Sequence, residues 1–143
     1  MRTEHHIFIN SLLAALLYIP GIINLENALL FVLGGIFFDI DHFLFHIFSE
    51  KNISFRNFVD IHKKMFRNLE PGLYVFHTFE FLAFLVFMTV NYFPFLFYFT
   101  VGHIFHMILD TLRATYYHRT DFSWIKNWSL LWHIKNFIYH TTK

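Results

Sequence analysis

Four residues at the end of an almost wholly apolar run carry the first chemistry in this chain. Asp39-Ile40-Asp41-His42, an acid-x-acid-His cluster, closes the stretch from Ala28 to Phe38. A segment apolar enough to enter a bilayer has no structural use for two carboxylates and an imidazole. Such groups cost several kcal/mol each unless they are paired or bind a metal, so ionisable residues there read as functional.

Other ionisable residues recur in apolar surroundings at helical spacing. His77 and Glu80 are i,i+3 and are expected to share a helix face. His103, His106 and Asp110 fall within about 60° of one another at 100° per residue, and Asp39, His42 and His46 follow the same arithmetic. Asp41 lies about 200° from Asp39 on an ideal helix. Either the helix is distorted there or the two aspartates face different metals or neighbours. His5 and His6 open the first apolar run, with His6 the better placed. His46 and His103 fit an outer, supporting position. His62, His118, His133 and His140 lie in polar or amphipathic segments and read as surface residues.

Histidine and carboxylate without thiolate suit Zn²⁺, Mn²⁺ or Fe²⁺, with zinc foremost. One ion takes three or four protein ligands and about eight are on offer, so one or two divalent ions are expected. Plainer explanations exist for each group. A charged helix end at the lipid boundary would account for Asp39, Asp41 and His42, a buried hydrogen-bonded pair for His106 and Asp110, and an interfacial turn for His77 and Glu80.

The elements that position these residues follow from composition and run length. The 143 residues are 56% hydrophobic and include 22 Phe, with only 15% charged residues, and the mean hydropathy is +0.44. That composition fits an integral membrane protein, and a net charge of +1 offers no basic field for nucleic acid. The absence of Cys excludes disulfides and thiolate chemistry. Four apolar runs stand out, at about 7–23, 28–48, 73–90 and 93–112. Runs of about 18 to 20 residues cross about 30 Å of hydrocarbon. The first has no small-x-small cleavage site after Arg2 and reads as a retained helix. Between the second and third lies a polar segment, 49–72, in which Phe55, Phe58, Val59, His62 and Phe66 suggest a short amphipathic helix. The tail, 113–143, reads as an amphipathic helix lying on the membrane or packed on the bundle.

All eleven Lys and Arg residues fall in the N-terminus, the middle loop and the tail. The positive-inside rule then places both termini and the 49–72 loop in the cytoplasm. In that topology all four runs present His or carboxylate groups at similar depth on the cytoplasmic side. The expected fold is all-α, a single integral membrane four-helix bundle with a cytoplasmic loop and a C-terminal amphipathic helix.

These residues resemble the motifs of the YdjM-like family of bacterial inner-membrane metal-dependent hydrolases. That family carries an N-terminal His, a Pro-Asp-x-Asp-His motif, a Thr-His-Ser motif and a Gly-x-x-x-His-x-x-x-Asp motif on successive membrane helices. Here His6 matches the first, and Asp39-Ile40-Asp41-His42 the second with Phe38 in place of proline. His77-Thr78 stands at the third, and Gly102 to Asp110 through His106 matches the last. The likeness spans most of residues 1–112. Two departures are clear: the His-Arg-Gly lead-in to the third motif is replaced by Leu73-Tyr74-Val75-Phe76, and Glu80 stands where the family has an apolar residue.

The resemblance implies a membrane hydrolase in the bacterial inner membrane. Asp39, Asp41, His42, His77, His106 and Asp110 are then the expected metal ligands. His6 and Glu80 are further ligands, and Asp41 and Glu80 are the catalytic candidates. A site at headgroup depth favours an amphiphilic or lipid substrate with a phosphoester or other ester bond. A membrane di-iron oxidase is an alternative, as are a metal or proton transporter and a purely structural membrane subunit. So small a bundle can enclose a large substrate only by homodimerisation or by entry from the lipid side.

Overall fold

The computed structural model describes residues 3–41, 44, 74–117, 125–126 and 128–141. His42, His46 and the 49–72 loop lie outside these residues. Within them all regular structure is helical: α1 (Thr3–Tyr18), α2 (Leu25–Ile36), α3 (Phe79–Asn91), α4 (Phe97–Tyr117) and α5 (Leu130–Thr141), with 3₁₀ turns at Phe37–Asp39, Val75–His77 and Pro94–Leu96.

Local sequence explains where each helix starts and stops. Pro20-Gly21 ends the first run: Gly21 takes φ +74°, its N–H donates to the Tyr18 carbonyl, and Ile22 N–H donates to Leu17. That pair of bonds is a Schellman closure, which needs a left-handed residue at this position. Asn24 caps α2 by accepting from Asn27 N–H at 2.8 Å, and Thr78 caps α3 by accepting from Phe81 N–H at 3.2 Å. Pro94 sits in the turn that leads into α4.

These boundaries shorten the first and third expected spans and interrupt the second, whose end lies outside the described residues. Among the described residues, only Pro94–Tyr116, at 23 residues, is both long and apolar enough to cross a membrane. The regular part of α2 stops at Ile36, where the chain breaks to φ −124°, ψ −36° and tightens into 3₁₀ geometry. The third run becomes α-helix only at Phe79, because Thr78 is extended.

Helix α2 packs chiefly against α4 on one side and α1 on the other, and α3 packs on α4. Close backbone approach makes the α2–α4 contact. A Cβ on Gly34 would overlap the Phe99 carbonyl, and one on Gly102 would overlap the Phe31 carbonyl. Small residues at such a crossing allow dispersion contact between backbones, a device common where helices meet in lipid. An apolar cluster of Ala14, Ile23, Ala28 and Phe31 fills one end of the bundle. Between α3 and α4, the Thr89 and Thr100 hydroxyls bond at 2.6 Å.

The distribution of side chains is inverted relative to a water-soluble bundle. Among the described residues, buried polar side chains outnumber buried apolar ones, while large apolar groups cover every helix surface. Phe8 is 67% exposed, Ile19 79% and Val90 72%, and Leu25, Leu29, Leu33 and Phe37 form an exposed stripe along α2.

Replacing Gly102 tests this packing. Gly102→Ala forces the two backbones apart and is expected to cost at least the about 1–3 kcal/mol of ordinary overpacking. Gly21→Ala meets no neighbour within 4 Å and carries only the left-handed penalty of about 1–2 kcal/mol. Unfolding in detergent followed by circular dichroism should rank Gly102→Ala as the less stable; equal stability would contradict the crossing.

Candidate metal centre

Four elements bring six of the expected site residues into one buried group. His6 comes from α1, Asp39 and Asp41 from the end of α2, His77 from the 3₁₀ turn before α3, and His106 and Asp110 from α4. All six are between 0% and 7% exposed.

The break at Ile36 resolves the angular conflict between the aspartates. Beyond it both carboxylates turn inward and address opposite nitrogens of one ring. Asp41 Oδ2 lies 3.0 Å from His77 Nδ1, and Asp39 Oδ1 lies 3.8 Å from His77 Nε2. His77 itself precedes α3, in a turn held by its own N–H to the Tyr74 carbonyl.

Hydrogen bonds fix the tautomers of two imidazoles. His77 Nδ1–H donates to Asp41, whose Oδ2 also accepts from Phe76 N–H at 3.1 Å. His106 Nδ1–H donates to the Gly35 carbonyl at 2.8 Å. Each ring is thereby left with its Nε2 lone pair pointing inward, the arrangement used to orient metal-bound histidines. The two Nε2 atoms face each other at 2.9 Å. Two lone pairs at that distance repel, and either one proton shared as N–H···N or a metal ion beside them relieves the repulsion.

Two carboxylates complete the set. Asp39 Oδ1 is 3.7 Å from His106 Nε2, and Asp110 Oδ2 is 3.4 Å from His106 Nε2 and 3.9 Å from His77 Nε2. Neither oxygen of Asp39 has a hydrogen-bond partner among the described residues, though the group is 5% exposed. A buried, unbonded carboxylate is unfavourable without a cation. Tetrahedral coordination at 2.0–2.1 Å implies ligand–ligand separations of about 3.3 Å, and the distances here, 2.9 to 3.9 Å, bracket that value. The donor set therefore fits a divalent ion. Two overlapping triads share His106: His77, His106 and Asp110, and His6, Asp39 and His106. His6 Nε2 also lies 3.0 Å from the other oxygen of Asp110, and its ring stacks on His106 at 3.9 Å.

Three sequence expectations are revised. Glu80 is not at the centre. Because Thr78 is extended, His77 and Glu80 do not share a helix face. The Glu80 carboxylate instead accepts from Ser129 Oγ at 2.7 Å, Leu130 N–H at 3.0 Å and Leu131 N–H at 3.3 Å. It satisfies the open N-terminus of α5, where a negative charge also suits the helix dipole. Asp41 has one oxygen committed to His77 and Phe76, and only Oδ1 lacks a partner. Its shown role is to orient His77. His103, expected in an outer, supporting position, is wholly buried with neither nitrogen hydrogen-bonded among the described residues, its ring 4.0 Å from Phe38. His5 is exposed. The expected ligand His42 lies outside the described residues. Sequence reasoning missed the Gly35 carbonyl and Asn10, which carry no titratable group to draw attention.

No family model, no curated protein and no solved structure matches this chain. The buried His and Asp groups that could hold a metal ion therefore carry the functional argument.

Removing Glu80 separates the two roles. Glu80→Gln is expected to keep the full complement of bound metal while speeding proteolysis of the C-terminal helix, read by metal analysis and limited digestion. Loss of metal in that variant would return Glu80 to the centre.

Proposed function

We propose that this chain is a multi-pass membrane protein with a metal-dependent hydrolase site facing the cytoplasmic leaflet, of the kind its motifs resemble in the YdjM-like family. The observation that carries the metal is Asp39, buried without a hydrogen bond among the described residues beside two inward-facing imidazole nitrogens. The apolar exterior and polar interior support lipid on all sides, including around the helices too short to qualify as spans by length. Short helices are accommodated by tilt or local thinning at modest cost. Lys and Arg placement supports cytoplasmic termini in a bacterial inner membrane.

His77, His106, Asp39 and Asp110 would hold an ion, with His6 bonded to Asp110 and able to serve a second ion through Asp39 and His106. Zinc, manganese or iron bound there would supply an acidified water for attack on an ester. Asp41 and the Gly35 carbonyl keep the two imidazoles in the Nδ1–H form. With Glu80 engaged elsewhere, Asp41 is the catalytic candidate that remains beside the group, its Oδ1 without a partner among the described residues and able to take up a proton. Burial of the group excludes bulk water and strengthens its electrostatics. The substrate is a phosphoester or other ester of a lipid or membrane-associated amphiphile, delivered by lateral diffusion to a site at headgroup depth.

A transporter would need polar groups to continue toward the other side. Along α4 the buried file from Asp110 through His106 and His103 does reach Thr100, but that hydroxyl is bonded to Thr89. A di-iron oxidase would differ in the metal itself, visible as an iron absorption band.

Elemental analysis of detergent-purified protein tests the reading. Wild type should carry one or two equivalents of zinc, manganese or iron, Asp39→Ala should lose it, and Asp41→Ala should bind about 10–100-fold more weakly. Metal affinity should also fall as the pH is lowered, because only neutral imidazole is a ligand. A wild-type protein without metal, even after reconstitution, would overturn the proposal.

A further inference from the structure

We propose that Asn10 is a positioning residue for His106, acting through the Gly35 carbonyl. This rests on the metal reading above and extends it to a residue outside the donor set.

The Gly35 oxygen is the hinge of the argument. In an uninterrupted α-helix it would accept from the backbone N–H four residues on, at Asp39. The chain instead tightens to 3₁₀ pairing from Phe37, with the N–H of Ile40 directed to Phe37, and Gly35 becomes available to side chains. It takes the Nδ1–H of His106 at 2.8 Å and stands 3.5 Å from Asn10 Nδ2. Asn10 is 0% exposed and its Nδ2 also donates to the His6 carbonyl at 2.8 Å. One amide thus spans the backbones that present His6 on α1 and the oxygen that orients His106.

Space around Gly35 shows how tightly this is set. The atoms a Cβ there would meet first all belong to the Asn10 side chain, its Cγ and Oδ1 before its Nδ2, while on the other side a Cβ on Gly102 would come within 3.0 Å of Gly35 N. The Gly35 peptide is clamped between Asn10 and α4. An apolar side chain would fill the same volume without leaving Asn10 Oδ1 buried and unbonded, as it is. Retaining the amide therefore points to its donor, which braces the carbonyl that keeps His106 Nε2 a lone pair.

The test uses the full chain in detergent, with zinc as the probe. In Asn10→Ala, zinc affinity measured against a competing chelator should fall about 10–100-fold, and ¹⁵N shifts of His106 in metal-free protein should show loss of the pure Nδ1–H tautomer. Gly35→Ala alone should disrupt packing. Combined with Asn10→Ala, which vacates the overlapped space, it should recover cooperative unfolding but not zinc affinity. That split distinguishes positioning from mere packing. Unchanged affinity or an unchanged tautomer in Asn10→Ala would overturn the proposal. If wild type itself binds no zinc, the metal reading fails, and the tautomer comparison still decides the role of Asn10.

Discussion

Two imidazole nitrogens face each other at 2.9 Å with their Nδ1 protons held elsewhere, and a carboxylate without a hydrogen bond among the described residues lies beside them. In a low-dielectric interior that arrangement is stable only around positive charge. The rest of the structure is arranged to bring these atoms together from four separate elements. His77 sits in a turn and not in a helix. Asp39 and Asp41 follow a break in α2. Asp110 lies one turn beyond His106 and shares its two oxygens between His6 and the histidine pair.

The break at Ile36 serves more than one purpose. It turns both aspartates inward, where an ideal helix would point one of them away. It also releases the Gly35 carbonyl to fix the His106 tautomer. Close crossing of α2 and α4 at Gly34 and Gly102 brings that carbonyl within reach. Local backbone irregularity and side-chain chemistry are therefore coupled at one point, and a straight α2 would lose the site.

Much of the centre was legible in the sequence because its members are ionisable and lie in apolar runs. His6, Asp39, Asp41, His77, His106 and Asp110 all announce themselves in that way; the helical arithmetic grouped His103 with His106 and Asp110, of which the last two lie 3.4 Å apart. Periodicity failed where the backbone is not helical. It put His77 and Glu80 on one face, but the extended Thr78 separates them, and Glu80 caps a helix fifty residues along the chain. No spacing rule anticipates such a long-range cap. The all-helical class was readable from the apolar runs; helix length was not, because Pro20-Gly21, Ile36 and Thr78 cut regular structure short of the apolar composition around it. Backbone carbonyls such as Gly35 are invisible to any reading of side chains.

The central claim is that His77, His106, Asp39 and Asp110 share one ion. X-ray absorption at the metal edge of zinc-loaded protein tests it most directly. The account predicts about four nitrogen and oxygen neighbours at 2.0–2.1 Å with the outer-shell scattering of two imidazoles. A shell of oxygens alone, with no imidazole signature, would contradict it.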